Sequence, residues 1–157
     1  VPEILCQNQS ATEQLAAQIA AHASAGDLFA LTGDLGAGKS TFARAFIRAA
    51  LGDADAEVPS PTFTLVQSYD GDCVIHHTDL YRLKTSDEVY DLGLDEERDE
   101  AILLVEWPDR MPMAWWQDAL EIELVREGEV TEAGDEKRRL ICKGNLNRWA
   151  ELLKGVV

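Results

Sequence analysis

Two hydrophobic periods alternate along the chain. Residues 4–6, "ILC", form a short apolar run that predicts a first strand. Leu15, Ala16, Ile19, Ala20 and Ala23 then recur at helical spacing. Ser10, with Glu13 three residues on, is the expected cap of that helix, and Gly26 its expected end. "DLFALT" predicts a buried strand. Phe42, Phe46, Ile47 and Ala50 make the apolar face of a second helix that stops at Gly52. "TFTLVQSYD" and "CVIHHTDLY" read as two strands about a turn at residues 70–72. A short helix is expected over residues 88–92, ended by Gly93. "AILLVEW" has no polar position before its Glu, as in a central strand covered on both faces. "ALEIELVRE" and "RRLICKG" predict a late hairpin around the polar residues 128–135. A last helix should turn Leu146, Trp149, Ala150 and Leu153 inward. Helices interleaved with buried strands define an α/β protein with some antiparallel pairing.

The length of 157 residues suits one domain, residues 1–157. Its 29 acidic against 14 basic side chains give a net charge of −15, which disfavours direct contact with nucleic acid. No apolar run approaches the roughly 18 residues of a membrane span and no leader pattern is visible, so a cytoplasmic protein without membrane contact is expected. Cys6, Cys73 and Cys142 are scattered and odd in number, which fits reduced structural thiols and no zinc site.

The chemistry starts at "GDLGAGKST", residues 33–41. Gly33, Gly38, Lys39 and Ser40 satisfy the phosphate-loop spacing between a strand and a helix. Gly36, Ala37 and Gly38 would turn backbone N–H groups toward phosphate oxygens, and the following helix adds its positive end. Lys39 would reach the β- and γ-phosphates, Ser40 would ligate Mg²⁺ and Thr41 would bond the α-phosphate. Acids must complete such a site, and in α/β sheets they come from strand carboxyl ends. Glu106 ends one strand and Asp79 another. His77, Asp79 and Tyr81 share a face, with His76 and Thr78 on the other. Thr62 follows two prolines in a loop able to fold over a γ-phosphate. Arg82 could pair with phosphate, with a nearby acid or with Glu88. Trp107 is either core packing or a neighbour of the site. Trp115 and Trp116 read as core, with a protein interface as the alternative.

No N-K-x-D or D-x-x-G motif for guanine occurs, which favours ATP. About 50 residues follow Glu106, little room for an acceptor pocket and a phosphate-clamping lid. That argues for a nucleotide-gated module over the alternative, a small-molecule kinase. "GDLGAGKST", "SPTFTLV", "HTDLYRL" and "LLVEWPDR", in this order over residues 10–110, resemble the TsaE (YjeE) family of bacterial phosphate-loop ATPases. The resemblance implies a phosphate-loop NTPase-type three-layer sandwich with a central mixed sheet. It implies ATP and Mg²⁺ as cofactors and slow hydrolysis that supports TsaD and TsaB. These two load threonylcarbamoyl onto adenosine 37 of tRNAs reading ANN codons, so tRNA would be reached only indirectly. It implies Lys39, Ser40 and Thr41 at phosphate and metal, and Thr62 in a switch-like loop. Asp79 would stand in the H-x-D-x-Y-R motif and Glu106 would be the second-strand acid before Trp107. Ser10 and Thr12 match the family's adenine-side segment. Asp79 and Glu106 could exchange the roles of serving the metal and orienting water. With no arginine finger evident in cis, stimulation by the partners is expected. The acidic insert at residues 127–136 matches no motif, and Arg139 receives no role.

Overall fold

"LFAL" and "AILLV" carry no polar side chain, so both faces of each strand must be covered, and they sit at the centre of the sheet. The computed structural model describes residues 1–128 and 136–156. The strands are β1 (Glu3–Cys6), β2 (Leu28–Thr32), β3 (Val66–Asp70), β4 (Val74–Asp79), β5 (Ala101–Glu106), β6 (Leu120–Glu127) and β7 (Lys137–Lys143). They join in one mixed sheet of order β1-β7-β6-β2-β5-β4-β3. β2 runs parallel to β5 and β6, and β4 runs parallel to β5. The outer pairs β1/β7, β6/β7 and β3/β4 are antiparallel.

Strand alternation divides the core in two. Phe29 and Leu31 of β2 and Ile102 and Leu104 of β5 face one layer; Leu28, Ala30, Leu103 and Val105 face the other. The first layer holds α1 (Gln9–His22), α2 (Lys39–Leu51) and α5 (Leu146–Leu152). Phe42, Phe46 and Ile47 of α2 are fully buried, each contributing about 1.5–3 kcal/mol by leaving water. The second layer is thinner. It is built from α3 (Ser86–Tyr90), α4 (Met113–Asp118) and two single 3-10 turns. The three-layer α/β sandwich is thus as expected, and no described helix is long and apolar enough to cross a membrane.

Several local expectations are corrected. Asn8, not Ser10, caps α1: its side chain accepts the Ala11 N–H at 2.8 Å. The earlier start also lets the Thr12 hydroxyl donate to the Asn8 carbonyl. α1 ends at His22, and Gly26 instead turns the chain into β2. β3 begins only at Val66, because residues 61–65 fold as a turn closed by Leu65 N–H on the Pro61 carbonyl at 2.7 Å. α3 starts at Ser86, two residues early, with the Thr85 hydroxyl as its cap. α5 buries Trp149 and Leu152, whereas Leu146 and Ala150 are exposed. α4 was not expected. Trp115, within it, is core, and its Nε1 donates to Asp95 at 2.7 Å. The hairpin of β6 and β7 forms as expected; most of its polar connection, residues 129–135, lies outside the described residues.

Candidate functional site

The turn between β2 and α2 is built by glycine. Gly33, Gly36 and Gly38 have φ of 140°, 80° and 108°, a region that side chains disfavour. A Cβ at Gly33 would lie 2.5 Å from the Leu124 carbonyl of β6, so the loop is also pressed against the neighbouring strand. Gly38 is the N-cap of α2 and has no side chain to spend on the free N–H groups there. Lys39 is buried and folds back: its Nζ donates to the Gly33 carbonyl and, at 3.0 Å, to the Asp34 carbonyl. Burial lowers its pKa, opposed by the negative charges of Glu106, Asp34, Asp79 and Asp109. The ammonium also lies 4.1 Å from the centre of the Trp107 ring.

The two predicted acids meet because β4 and β5 are parallel neighbours in register, with Asp79 opposite Glu106. Both are buried. Glu106 is held at each oxygen. Oε1 accepts the Ser40 hydroxyl at 3.0 Å, and Oε2 lies 2.6 Å from His77 Nε2. The carboxylate partner fixes the imidazole proton on Nε2. Asp79 Oδ1 accepts the Tyr81 N–H at 2.9 Å, and the Thr62 hydroxyl approaches Oδ2 at 3.5 Å. Burial raises the Asp79 pKa; the Tyr81 N–H opposes this and the charge of Glu106 adds to it. The loop of Thr62 is tied to the same strand end. The Leu65 carbonyl accepts from Asp79 N–H at 3.2 Å and from the Thr78 hydroxyl at 2.6 Å.

A cavity of about 360 Å³ opens between these parts. Gly36, Gly38, Lys39, Ser40, Thr41, Thr62, Asp79 and Glu106 all line it, so the sequence expectation for them converges in space. Ala37 is buried beneath the loop. Thr12 lines a small recess next to it, sharing Gly38 and Thr41 with the cavity. Ser10 does not reach either: it faces a groove on the outer side of α1 and α2 with Glu13 and Ala45. Trp107 borders the cavity, its ring 5.2 Å from that of Tyr81, and is a neighbour of the site, not core. Arg82 pairs with no acid among the described residues, Glu88 included; its guanidinium lies 4.3 Å from the Phe63 ring centre, next to Thr62 in the chain. Two arginines that the sequence reading did not single out lie nearby. Arg126 of β6 and Arg138 of β7 border the cavity and donate to loop carbonyls. Arg139 turns away and pairs with Glu127 at 2.6 Å.

The hydroxyl of Ser40 and the carboxylates of Glu106 and Asp79 are hard oxygen donors, the set that suits Mg²⁺. Among the described residues no cluster of three or more His, Cys, Asp and Glu could hold a metal alone.

Fold and site define a class: an α/β protein with a phosphate-loop-type turn after a central parallel strand and two acids at the ends of neighbouring strands. Comparison with known proteins narrows it. The family described as "Threonylcarbamoyl adenosine biosynthesis protein TsaE" matches residues 6–138. A Bacillus subtilis protein named "tRNA threonylcarbamoyladenosine biosynthesis protein TsaE" is 39% identical over 92% of this chain and 87% of its own length. A protein of the same name from Rickettsia felis is 35% identical over 87% of this chain and 76% of its own. The crystal structure of YdiB from Bacillus subtilis superposes with a TM-score of 0.71 at 30% identity, covering 98% of this chain and 92% of that one. The chain belongs to the TsaE family.

Proposed function

We propose that the protein binds ATP with Mg²⁺ and hydrolyses it slowly, in support of threonylcarbamoyl modification of adenosine 37 in tRNAs reading ANN codons. It acts in the cytoplasm through a TsaD–TsaB complex and does not itself transfer the group. The observation that carries this reading is the convergence of Lys39, Ser40, Asp79 and Glu106 at the carboxyl ends of β2, β4 and β5. Ligands in open α/β sheets bind at such ends. The names of the relatives support the tRNA role.

Lys39 exchanges the carbonyls of Gly33 and Asp34 for β- and γ-phosphate oxygens. The loop N–H groups and the start of α2 bind the remaining phosphate charge. Ser40 and Glu106 would hold the cation, which when bound screens the triphosphate and polarises the γ-phosphoryl group. Asp79 orients or deprotonates the attacking water, or holds the loop of Thr62 against the γ-phosphate. A net charge of −15 suits a protein that reaches tRNA through others.

Calorimetric titration with ATP and Mg²⁺, followed by turnover with and without TsaD and TsaB, tests this. Lys39→Ala should abolish binding, while Glu106→Ala should bind and lose turnover. Full turnover by the Glu106 variant rejects its role, and equal rates with and without the partners reject the coupling. ATP consumption that requires an added metabolite would install the small-molecule kinase in its place.

A further inference from the structure

Arg126 and Arg138 stand directly opposite each other across the β6–β7 hairpin. Two like charges in that relation repel, so the placement needs a reason. Arg138 is only 6% exposed. Its Nε donates to the Ala37 carbonyl, and its Nη2 donates to Glu136 at 2.6 Å and approaches the Gly36 carbonyl at 3.4 Å. Arg126 is exposed, and its Nη2 donates to the same Gly36 carbonyl at 3.0 Å. Both guanidinium groups cover a glycine of the loop. A Cβ at Gly36 would meet Arg126 Nη2 at 3.1 Å, and one at Gly38 would meet Arg138 Nε at 3.4 Å. Carbonyls alone do not call for two cations, whereas a polyphosphate does. The cavity they border also holds the carboxylates of Asp79, Glu106 and Glu136, beside the single ammonium of Lys39.

We propose that this arginine pair is a second cationic arm of the phosphate site, supplied by the carboxyl-terminal hairpin. Arg138 is a positioning residue. A trans peptide sets its N–H opposite its carbonyl, so holding the Ala37 carbonyl toward the hairpin aims the Gly38 N–H away from it. Arg126 is the mobile member: it leaves the Gly36 carbonyl and bonds the β- or γ-phosphate. The arm therefore favours nucleoside di- and triphosphates over the monophosphate, and it ties the hairpin to the nucleotide state. The proposal rests on the ATP-binding reading above.

The test uses the full chain and fluorescent N-methylanthraniloyl derivatives of ATP, ADP and AMP. Arg126→Ala should weaken ATP and ADP about tenfold and leave AMP unchanged, and Arg126→Lys should restore most of the loss. Arg138→Lys should weaken ATP and ADP while its melting temperature stays near that of the parent. Should Arg138→Ala fail to fold, the exposed Arg126 variants still decide the matter. Parental ATP affinity in Arg126→Ala, or an equal loss for all three nucleotides, overturns the arm and leaves the ATP site standing. No binding of any nucleotide by the parent chain would instead overturn the ATP reading itself.

Discussion

His77 supports Glu106, the acid proposed to hold the cation, from behind, and its removal has calculable consequences. Its Nε2 lies 2.6 Å from Glu106 Oε2, with the two side chains 2% and 3% exposed. In His77→Ala that oxygen loses its one hydrogen-bond partner from the protein. An orphaned buried acceptor costs about 1–3 kcal/mol, and in a chain of this size each kcal/mol moves the melting temperature by roughly 2–4 °C. A fall of about 2–12 °C is expected by scanning calorimetry. The larger effect is on orientation. Ser40 still donates to Oε1, so the carboxylate is held at one end only and can swing out of the metal position. Losing such a support typically weakens metal binding or activity by about 10–100-fold. His77→Gln carries an amide N–H to nearly the same point and should recover most of both losses. The assay is ATP turnover against Mg²⁺ concentration for the parent and both variants. His77→Ala with the parental Mg²⁺ dependence would refute the argument, even if its melting temperature fell.

Asp79→Asn should raise the melting temperature by a few degrees while removing turnover, since Asn keeps the Tyr81 bond and sheds a buried charge. The folded pKa of Asp79 is raised above 3.8, so the stability it contributes is present below that value and is lost as pH rises through the folded pKa. The gap between Asn variant and parent should therefore widen with pH across that interval in pH-dependent melts and close in acid; a constant gap rejects the account. Gly33→Ala should destabilise by about 2 kcal/mol in urea titrations, because its Cβ meets the Leu124 carbonyl. Gly52→Ala has a positive φ but open space and should cost about 1 kcal/mol; the reverse order would show that the contact with β6 is not what constrains the loop. Iodoacetamide should label only Cys73 in the native protein and all three cysteines after unfolding, as Cys6 and Cys142 are buried and burial pushes the Cys142 thiol up to about 12.

What the sequence disclosed and what it hid follow from the range of the interactions. The phosphate-loop turn is local: strand, glycines, lysine and helix lie within a dozen residues, and each leaves its mark on the spacing. Glu106 and Asp79 were legible because each ends a recognisable strand, and parallel register alone brings such ends together. Arg126 and Arg138 were not. They continue the inward rows of Ile122 and Leu124 and of Leu140 and Cys142 past the edge of the core, so alternation put them on the buried face without saying what they meet there. The role proposed for them depends on a cross-strand register and on a loop about 90 to 100 residues earlier. Asn8 and Ser10 are equally good caps by composition; the longer helix and the Thr12 bond decide between them. "TFTLV" has the β-branched and aromatic residues of a strand, yet Leu65 closes a turn by donating its N–H to the Pro61 carbonyl while its own carbonyl accepts from Thr78 and Asp79 of β4.

Backbone strain marks the same place by a separate route. Among the described residues only Leu65 and Trp107 have positive φ without being glycine, at 67° and 53°. Each conformation costs about 1–2 kcal/mol for such a side chain, and neither residue is required there by a tight hairpin. The two flank the acid pair. Leu65 offers its carbonyl to Asp79 N–H, and Trp107 follows Glu106 directly. Straightening Trp107 would carry its ring off the Lys39 ammonium and away from Tyr81. Releasing Leu65 would free the loop of Thr62 from the end of β4. Strain of this kind survives where the surrounding structure over-determines it, and it concentrates in segments that switch. On the ATP-binding reading proposed above, the phosphates would draw on Lys39, which lies over the Trp107 ring, and on Thr62, which lies in the turn that Leu65 ends.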